Sequence, residues 1–345
     1  MSSPSLSELL REARKSGASD LYLGEGISPQ VRIDGELTPL LSHPVKIEEN
    51  LLREIVPPDK LSLFQKGQDL DFSLWREEGG YRVNIYRDRR GIQFTFRIIP
   101  SRIPTLDELG FPEVVKKLST LHQGLVLVTG PAGSGKSTTL ASIIQEINRT
   151  SSRHIITVED PIEFIHENQR SRIVQREVGT HTHSFQKALH SALRQDPDVI
   201  MIGELRDRET TSLALIAAET GHLVLSTLHT FRAYEAVDRI INLFPPHEQS
   251  QVRVMLSEIL QGVISQHLVK KKEGGRVAVL EILVWTPALA SLIREGKTFR
   301  IPSLMQTGKK KFGMRLFEDS YLELVAKGII EEGIFRKFVE EKMEK

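Results

Sequence analysis

Residues 125–147 read LVLVTGPAGSGKSTTLASIIQEI, and this stretch decides the fold. LVLVT suits a buried strand, a glycine-rich turn follows, and TTLASIIQEI supplies helix formers. The turn at 130–137, GPAGSGKS, satisfies G-x-x-x-x-G-K-[ST] in the strand, loop and helix setting that a P-loop requires. Glycines there let backbone N–H groups turn inward and cradle phosphate oxygens at a helix N-terminus. A lysine neutralises β- and γ-oxygens, and the following hydroxyl faces magnesium. The motif therefore predicts a site for ATP with Mg2+, built from Gly130, Gly133, Ser134, Gly135, Lys136, Ser137 and Thr138.

Strand-like runs at 125–129, 155–158, 199–202 and 223–226 alternate with helical segments. That pattern predicts a parallel sheet with helices on its faces, a RecA-like α/β core. Upstream, Leu6, Leu9, Leu10 and Ala13 share one helical face and Gly17 ends it. Strands are expected at 20–23, 29–33, 69–74, 81–86 and 91–98, broken by Asp34-Gly35 and by Glu78-Gly79-Gly80. These make a small mixed α/β domain over 1–99. Pro100, Pro104 and Pro112 mark a linker at 100–113, and the ATPase domain is expected over 114–345. Val252, Met255, Ile259, Val263, Ile264 and Leu268 recur at helical spacing and predict one helix over 251–269. A Gly274-Gly275 turn, a strand and further helices follow, so 251–345 reads as mostly helical.

A chain of 345 residues is long enough for two domains. Lys and Arg (46) balance Asp and Glu (45), giving +1 overall, with no basic arm or stripe of stacking aromatics to suggest nucleic acid. The lack of cysteine excludes disulfides, thiolate zinc sites and cysteine nucleophiles, and fits a reducing cytoplasm. No stretch approaches the roughly 18 apolar residues of a membrane helix, so any membrane role is expected to be peripheral.

Three further motifs carry acids and histidines. VIMIGE ends an apolar strand on Glu204, where P-loop proteins keep the acid that acts on magnesium or its water, more often as Asp. ITVEDPIEF ends a strand on Glu159-Asp160, with Pro161 stopping it and Glu163 just beyond. Taken alone, Glu-Asp-Pro is equally a turn signal. A carboxylate there could instead orient an attacking water. TGHLVLSTLHT brackets another strand with His222 and His229, which in isolation read as packed or solvated as readily as functional. His181 and His183 share one strand face with no third ligand nearby, so no zinc site is expected.

Together and in this order, these segments resemble the secretion ATPase superfamily that powers type II secretion and type IV pili. The likeness runs through SDLYLG, FRIIPSRIPTLDELGFP, ITVEDPIEF as the Asp box, LRQDPDVIMIGELRD as Walker B, and AAETGHLVLSTLHT as the His box. The branch most resembled is that of pilus retraction. No extra N-terminal domain is expected, the lack of cysteine rules out a tetracysteine subdomain in these residues, and ISQHLVKKKEGGRVAVLEILVWTPALASLIREGKT and QTGKKKFGM resemble its C-terminal part.

The resemblance implies a small N-terminal PAS-like α/β domain joined to a RecA-like P-loop NTPase core with a helical C-terminal part. It makes Lys136 and Ser137 nucleotide ligands, Ser137 and Glu204 the magnesium residues, partly via water, Glu163 the general base, and His222 and His229 the His-box pair. Arg82 and Arg97, with Arg87 a weaker candidate, stand where the family's N-terminal arginines reach the γ-phosphate. It further implies a homohexameric motor at the cytoplasmic face of the inner membrane, acting on a PilC-like platform protein without binding nucleic acid. The alternatives are pilus assembly, type II secretion, and a nucleic-acid-translocating motor. Two departures mark this chain: Tyr22 stands where that branch has His, and three lysines, 309–311, occupy what is there a shorter polar turn.

Overall fold

The computed structural model describes residues 4–33, 35–44, 49–100 and 102–343. Two compact units emerge, Met1–Arg102 with Pro161–Ile165, and Ile103–Asp160 with His166–Lys345.

The first unit begins with helix α1 (Leu6–Lys15), whose start is fixed by a reciprocal Ser5 and Glu8 capping box. Its buried face is Leu6, Leu9, Leu10 and Ala13. Strands β1 (Asp20–Gly24), β2 (Ile27–Ile33) and β3 (Glu36–Pro39), helices α2 (Glu49–Ile55) and α3 (Pro58–Gln65), and strands β4 (Leu70–Arg76), β5 (Gly79–Asp88) and β6 (Gly91–Ile98) complete it. The sheet is antiparallel in the order β3-β2-β1-β6-β5-β4. Alternation sorts its two faces: Leu21, Leu23, Tyr81, Val83, Ile85, Phe94 and Phe96 are buried against the helices. Asp20, Arg82 and Arg97 occupy the intervening positions and so share the opposite face, with Arg82 paired directly to Arg97 and Arg97 to Asp20.

The second unit starts earlier than the proline pattern suggests. Leu106 and Phe111, inside the expected linker, are buried with Val115, Leu118, Val126 and Ile143, and Ser142 Oγ donates to the Pro104 carbonyl at 2.7 Å. The chain is thus packed into this unit from Ile103 onward. Its elements are α4 (Glu113–Ser119), β7 (Gly124–Thr129), α5 (Lys136–Thr150), β8 (His154–Glu159), β9 (Arg172–Glu177), α6 (Phe185–Ala192), β10 (Val199–Ile202), α7 (Arg208–Glu219), β11 (Leu223–Leu228), α8 (Ala233–Ile241), α9 (Pro246–Ile259), β12 (Leu260–Lys270), β13 (Arg276–Val284), α10 (Pro287–Arg294), α11 (Ile301–Phe312), α12 (Phe317–Ala326) and α13 (Glu332–Met343).

Seven strands run in the order β13-β12-β7-β11-β10-β8-β9. All neighbours are parallel except β12 and β13. Cores lie on both faces of the sheet, which is why its central strands β7, β10 and β11 read as largely apolar runs. Leu125 and Leu127 enter one core with Ile200, Ile202 and Val224, while Val126 and Val128 enter the other with Val199, Met201 and Leu225.

The sheet corrects one expectation. The helix expected over 251–269 stops at Ile259, and residues 260–270 form β12, hydrogen-bonded to β7 on one side and β13 on the other. Helical spacing misleads here because a strand buried on both faces loses its period of two, and any short apolar run then fits either template. β13, antiparallel to β12, makes the sheet mixed at this end, where a parallel sheet was expected. The three departing lysines do not form a turn either: they lie in the last turn of α11, which Gly313 ends at φ 72°.

Candidate nucleotide-binding site

In an open parallel sheet, ligands bind beyond the carboxyl ends of the strands. Register fixes what meets there: Thr129 lies opposite Leu228, Ser226 opposite Ile202, and Ile202 opposite Val158. Gly130, Glu204 and His229 therefore leave the sheet at the same edge.

The P-loop has the backbone its glycines predict. Gly130, Gly133 and Gly135 have φ of 146°, 74° and 88°, conformations that L side chains rarely adopt. At Gly130 space also forbids a side chain, since a Cβ would stand 2.2 Å from the Gln266 carbonyl oxygen. Lys136 Nζ bends back over the loop and donates to the Gly130 and Pro131 carbonyls at 2.9 and 3.0 Å. Ser137 and Thr138 stand half-buried in the first turn of α5. The buried Ser134 Oγ has no partner among the described residues. A glycine cradle, a lysine held by exchangeable carbonyls, and a bare helix N-terminus suit a phosphate chain.

Sequence reasoning missed the residue that braces this loop. Gln266, buried in β12, accepts from Thr139 Oγ1 at 2.7 Å and donates to the Ser134 carbonyl at 2.7 Å. One side chain thus joins the loop to the first turns of α5. Next to it, Thr129 and Ser265 share a hydroxyl hydrogen bond of 2.5 Å. Gln266→Leu keeps the volume but strands two buried polar groups at about 1–3 kcal/mol each. ADP affinity should fall about tenfold or more in titration calorimetry, and an unchanged affinity would deny the brace its role.

Glu204 follows β10 at the same edge. Its Oε1 lies 3.2 Å from His229 Nε2, and its Oε2 accepts from Arg206 Nε at 2.7 Å. The hydrogen bond to Glu204, with the charge of Asp160 adding to it, holds Arg206 above the ordinary guanidinium range. Thr227 Oγ1 donates to the Gly203 carbonyl at 2.6 Å, tying the end of β11 to the turn that carries Glu204. Beyond His229, the start of α8 is pinned by Glu281, which accepts from Ala233 N at 2.8 Å and Arg232 Nη1 at 3.0 Å. Burial pushes the Glu281 carboxyl up, against the hydrogen bond from Ala233 and the Arg232 cation.

His222 does not join this group. It precedes β11, so a six-residue strand, about 20 Å, separates it from His229. Its Nδ1 lies 2.9 Å from the Ala217 carbonyl at the end of α7. A pair of histidines flanking one strand cannot share one end of it, so within the chain His222 lies apart from Glu204 and His229.

Glu163 is exposed in the segment that follows β8. In the first unit, Arg82 donates through Nε and Nη2 to Asp71 at 3.2 and 3.0 Å, and Arg97 Nε donates to the buried Asp20 at 3.0 Å. Two guanidinium groups facing each other across adjacent strands repel. Arg87 is set apart, its guanidinium 4.7 Å from the Phe64 ring centroid.

The model of the type II/IV secretion system protein family matches residues 2–336. The chain belongs to that family. It is 48% identical over 94% of its length to the type IV pilus retraction ATPase PilT of Pseudomonas aeruginosa, covering 95% of that protein. It is 47% identical over 88% of its length to a twitching motility protein of Neisseria gonorrhoeae, covering 82% of it. Among solved structures, the pilus retraction motor PilT with bound ADP matches with a TM-score of 0.88 and 43% identity, over 95% of each chain. Family membership accords with the mixed α/β fold built from an N-terminal domain and a RecA-like core. Among the described residues no helix is long and apolar enough to cross a membrane.

Proposed function

We propose that the chain is an ATP-hydrolysing motor that powers type IV pilus retraction. The observation that carries this reading is the convergence of the P-loop, Glu204 and His229 at one edge of the sheet, in a chain nearly half identical to a retraction ATPase.

Under this reading, N–H groups of 130–137 and Lys136 Nζ exchange the loop's own carbonyls for phosphate oxygens of ATP. The Ser137 hydroxyl and the Glu204 carboxylate are hard oxygen donors that suit magnesium, directly or through water. When bound, that ion neutralises charge building on the β- and γ-phosphate oxygens. Glu163 accepts the proton of the attacking water, His229 holds Glu204 in orientation, and Arg82 and Arg97 meet the charge spread over the transferred phosphoryl group.

We further infer a homohexamer in which nucleotide turnover drives domain motion, with the N-terminal domain over 1–99 and the ATPase domain after it. Because Leu106 and Phe111 are buried in the core, the hinge falls before Ile103. The ring would work at the cytoplasmic face of the inner membrane against a PilC-like platform protein. Deleting the gene tests direction: piled-up surface pili without twitching support retraction, whereas bald cells would assign the chain to assembly. Phosphate release stimulated by DNA would move it to a nucleic-acid motor.

A further inference from the structure

The segment 161–165, which carries Glu163, leaves the second unit after Asp160, just past the end of β8, and the chain returns to that unit at His166. Both ends of this excursion meet one side chain. Gln175 of β9 accepts from the His166 backbone N–H through Oε1 at 2.8 Å, and its Nε2 donates to Glu159 Oε1 at 3.1 Å. Glu159 is the last residue of β8, buried, and the same oxygen accepts from Thr157 Oγ1 at 2.6 Å. Thr157 is also the residue opposite Gln175 in the β8–β9 ladder. The amide of Gln175 is thus anchored by the sheet, and it joins the two feet of a six-residue loop whose middle is Glu163.

We propose that Gln175 is a positioning residue for hydrolysis: by closing the base of the 160–165 loop it fixes where the Glu163 carboxylate can reach. The chemistry requires an amide. A carboxylate at 175 could not donate to Glu159, and an amine could not accept from His166 N–H. Gln175 itself touches no reacting atom, so its effect belongs on turnover, not on nucleotide affinity. The inference rests on the reading of Glu163 as the base.

The test is a double-mutant cycle in the full-length chain, measuring steady-state ATP hydrolysis, ADP affinity and thermal unfolding. Gln175→Ala should lower kcat by about 10- to 100-fold, the scale of misplacing a reacting group by about 1 Å. KM and ADP affinity should stay within about twofold. In a Glu163→Ala background it should add no further loss, because the group it positions is gone. If the alanine variant fails to fold, Gln175→Met keeps the volume and gives the same readout. Wild-type kcat in Gln175→Met would overturn the proposal, as would losses that multiply with Glu163→Ala or an equal fall in ADP affinity. Full turnover in Glu163→Ala alone would instead remove the base, and the inference with it.

Discussion

Glu204→Gln is expected to leave ATP bound and to lower hydrolysis by about a hundredfold or more, the scale of losing one group that stabilises charge in the transition state. The substitution is nearly isosteric, so the turn after β10 keeps its shape through the Thr227 to Gly203 hydrogen bond. What changes is charge. The Arg206 guanidinium and the His229 imidazole lose the anion they flank, and the proposed magnesium site would lose a carboxylate. Arg206 is mostly exposed, so losing that ion pair costs at most about 1 kcal/mol of stability. The melting temperature should hardly move while turnover collapses. Fluorescent-nucleotide binding beside a phosphate-release assay checks this, and normal turnover would remove Glu204 from the mechanism.

Arg82→Ala and Arg97→Ala should each lower kcat more than they weaken ATP binding, since an arginine meeting a transferring phosphoryl group is worth about 10³–10⁵ in rate. The two stand opposite each other on β5 and β6, Arg82 bonded to Asp71 and Arg97 to Asp20. Facing cations repel, and binding an anion would offset that cost. Stability is the confounder at Arg97, because its loss leaves the buried Asp20 with fewer donors, although Ser19 Oγ still donates to it at 2.7 Å. Arg97→Lys restores the charge without the planar fork, so a lysine variant as slow as the alanine variant at full thermal stability identifies the guanidinium itself. An affinity defect with unaltered kcat in both would argue for ground-state binding alone.

Much of this was legible in the sequence because it is written locally. The P-loop needs glycines at positive φ, and Gly130, Gly133 and Gly135 supply them within six residues. The helix at 6–15 shows its period, and the alternating strands of the first unit show theirs. What stayed hidden depends on distant partners. Gln266 bonds Thr139 across 127 residues, and Gln175 bonds Glu159 across a loop whose closure no local pattern announces. β9, with its half-buried polar residues, gives neither an apolar run nor a clean alternation. β12 was lost to the symmetry of its surroundings, for a strand with a core on each face carries no amphipathic signature. His222 stands apart from His229 for a simpler reason: adjacency to a strand says nothing about which end of it a residue occupies.

The brace on the P-loop has a bearing on how the protein is made. Gly130 and Gln266 lie 136 positions apart along the chain, and synthesis at about 5–20 residues per second separates them by roughly 7–27 seconds. Throughout that interval the nascent polypeptide holds an intact Walker sequence but lacks the strand that locks it in shape. Grip on ATP is therefore acquired late, once β12 has left the ribosome and slotted beside β7. An incomplete or truncated product that lacks β12 would hold nucleotide more weakly than the finished chain.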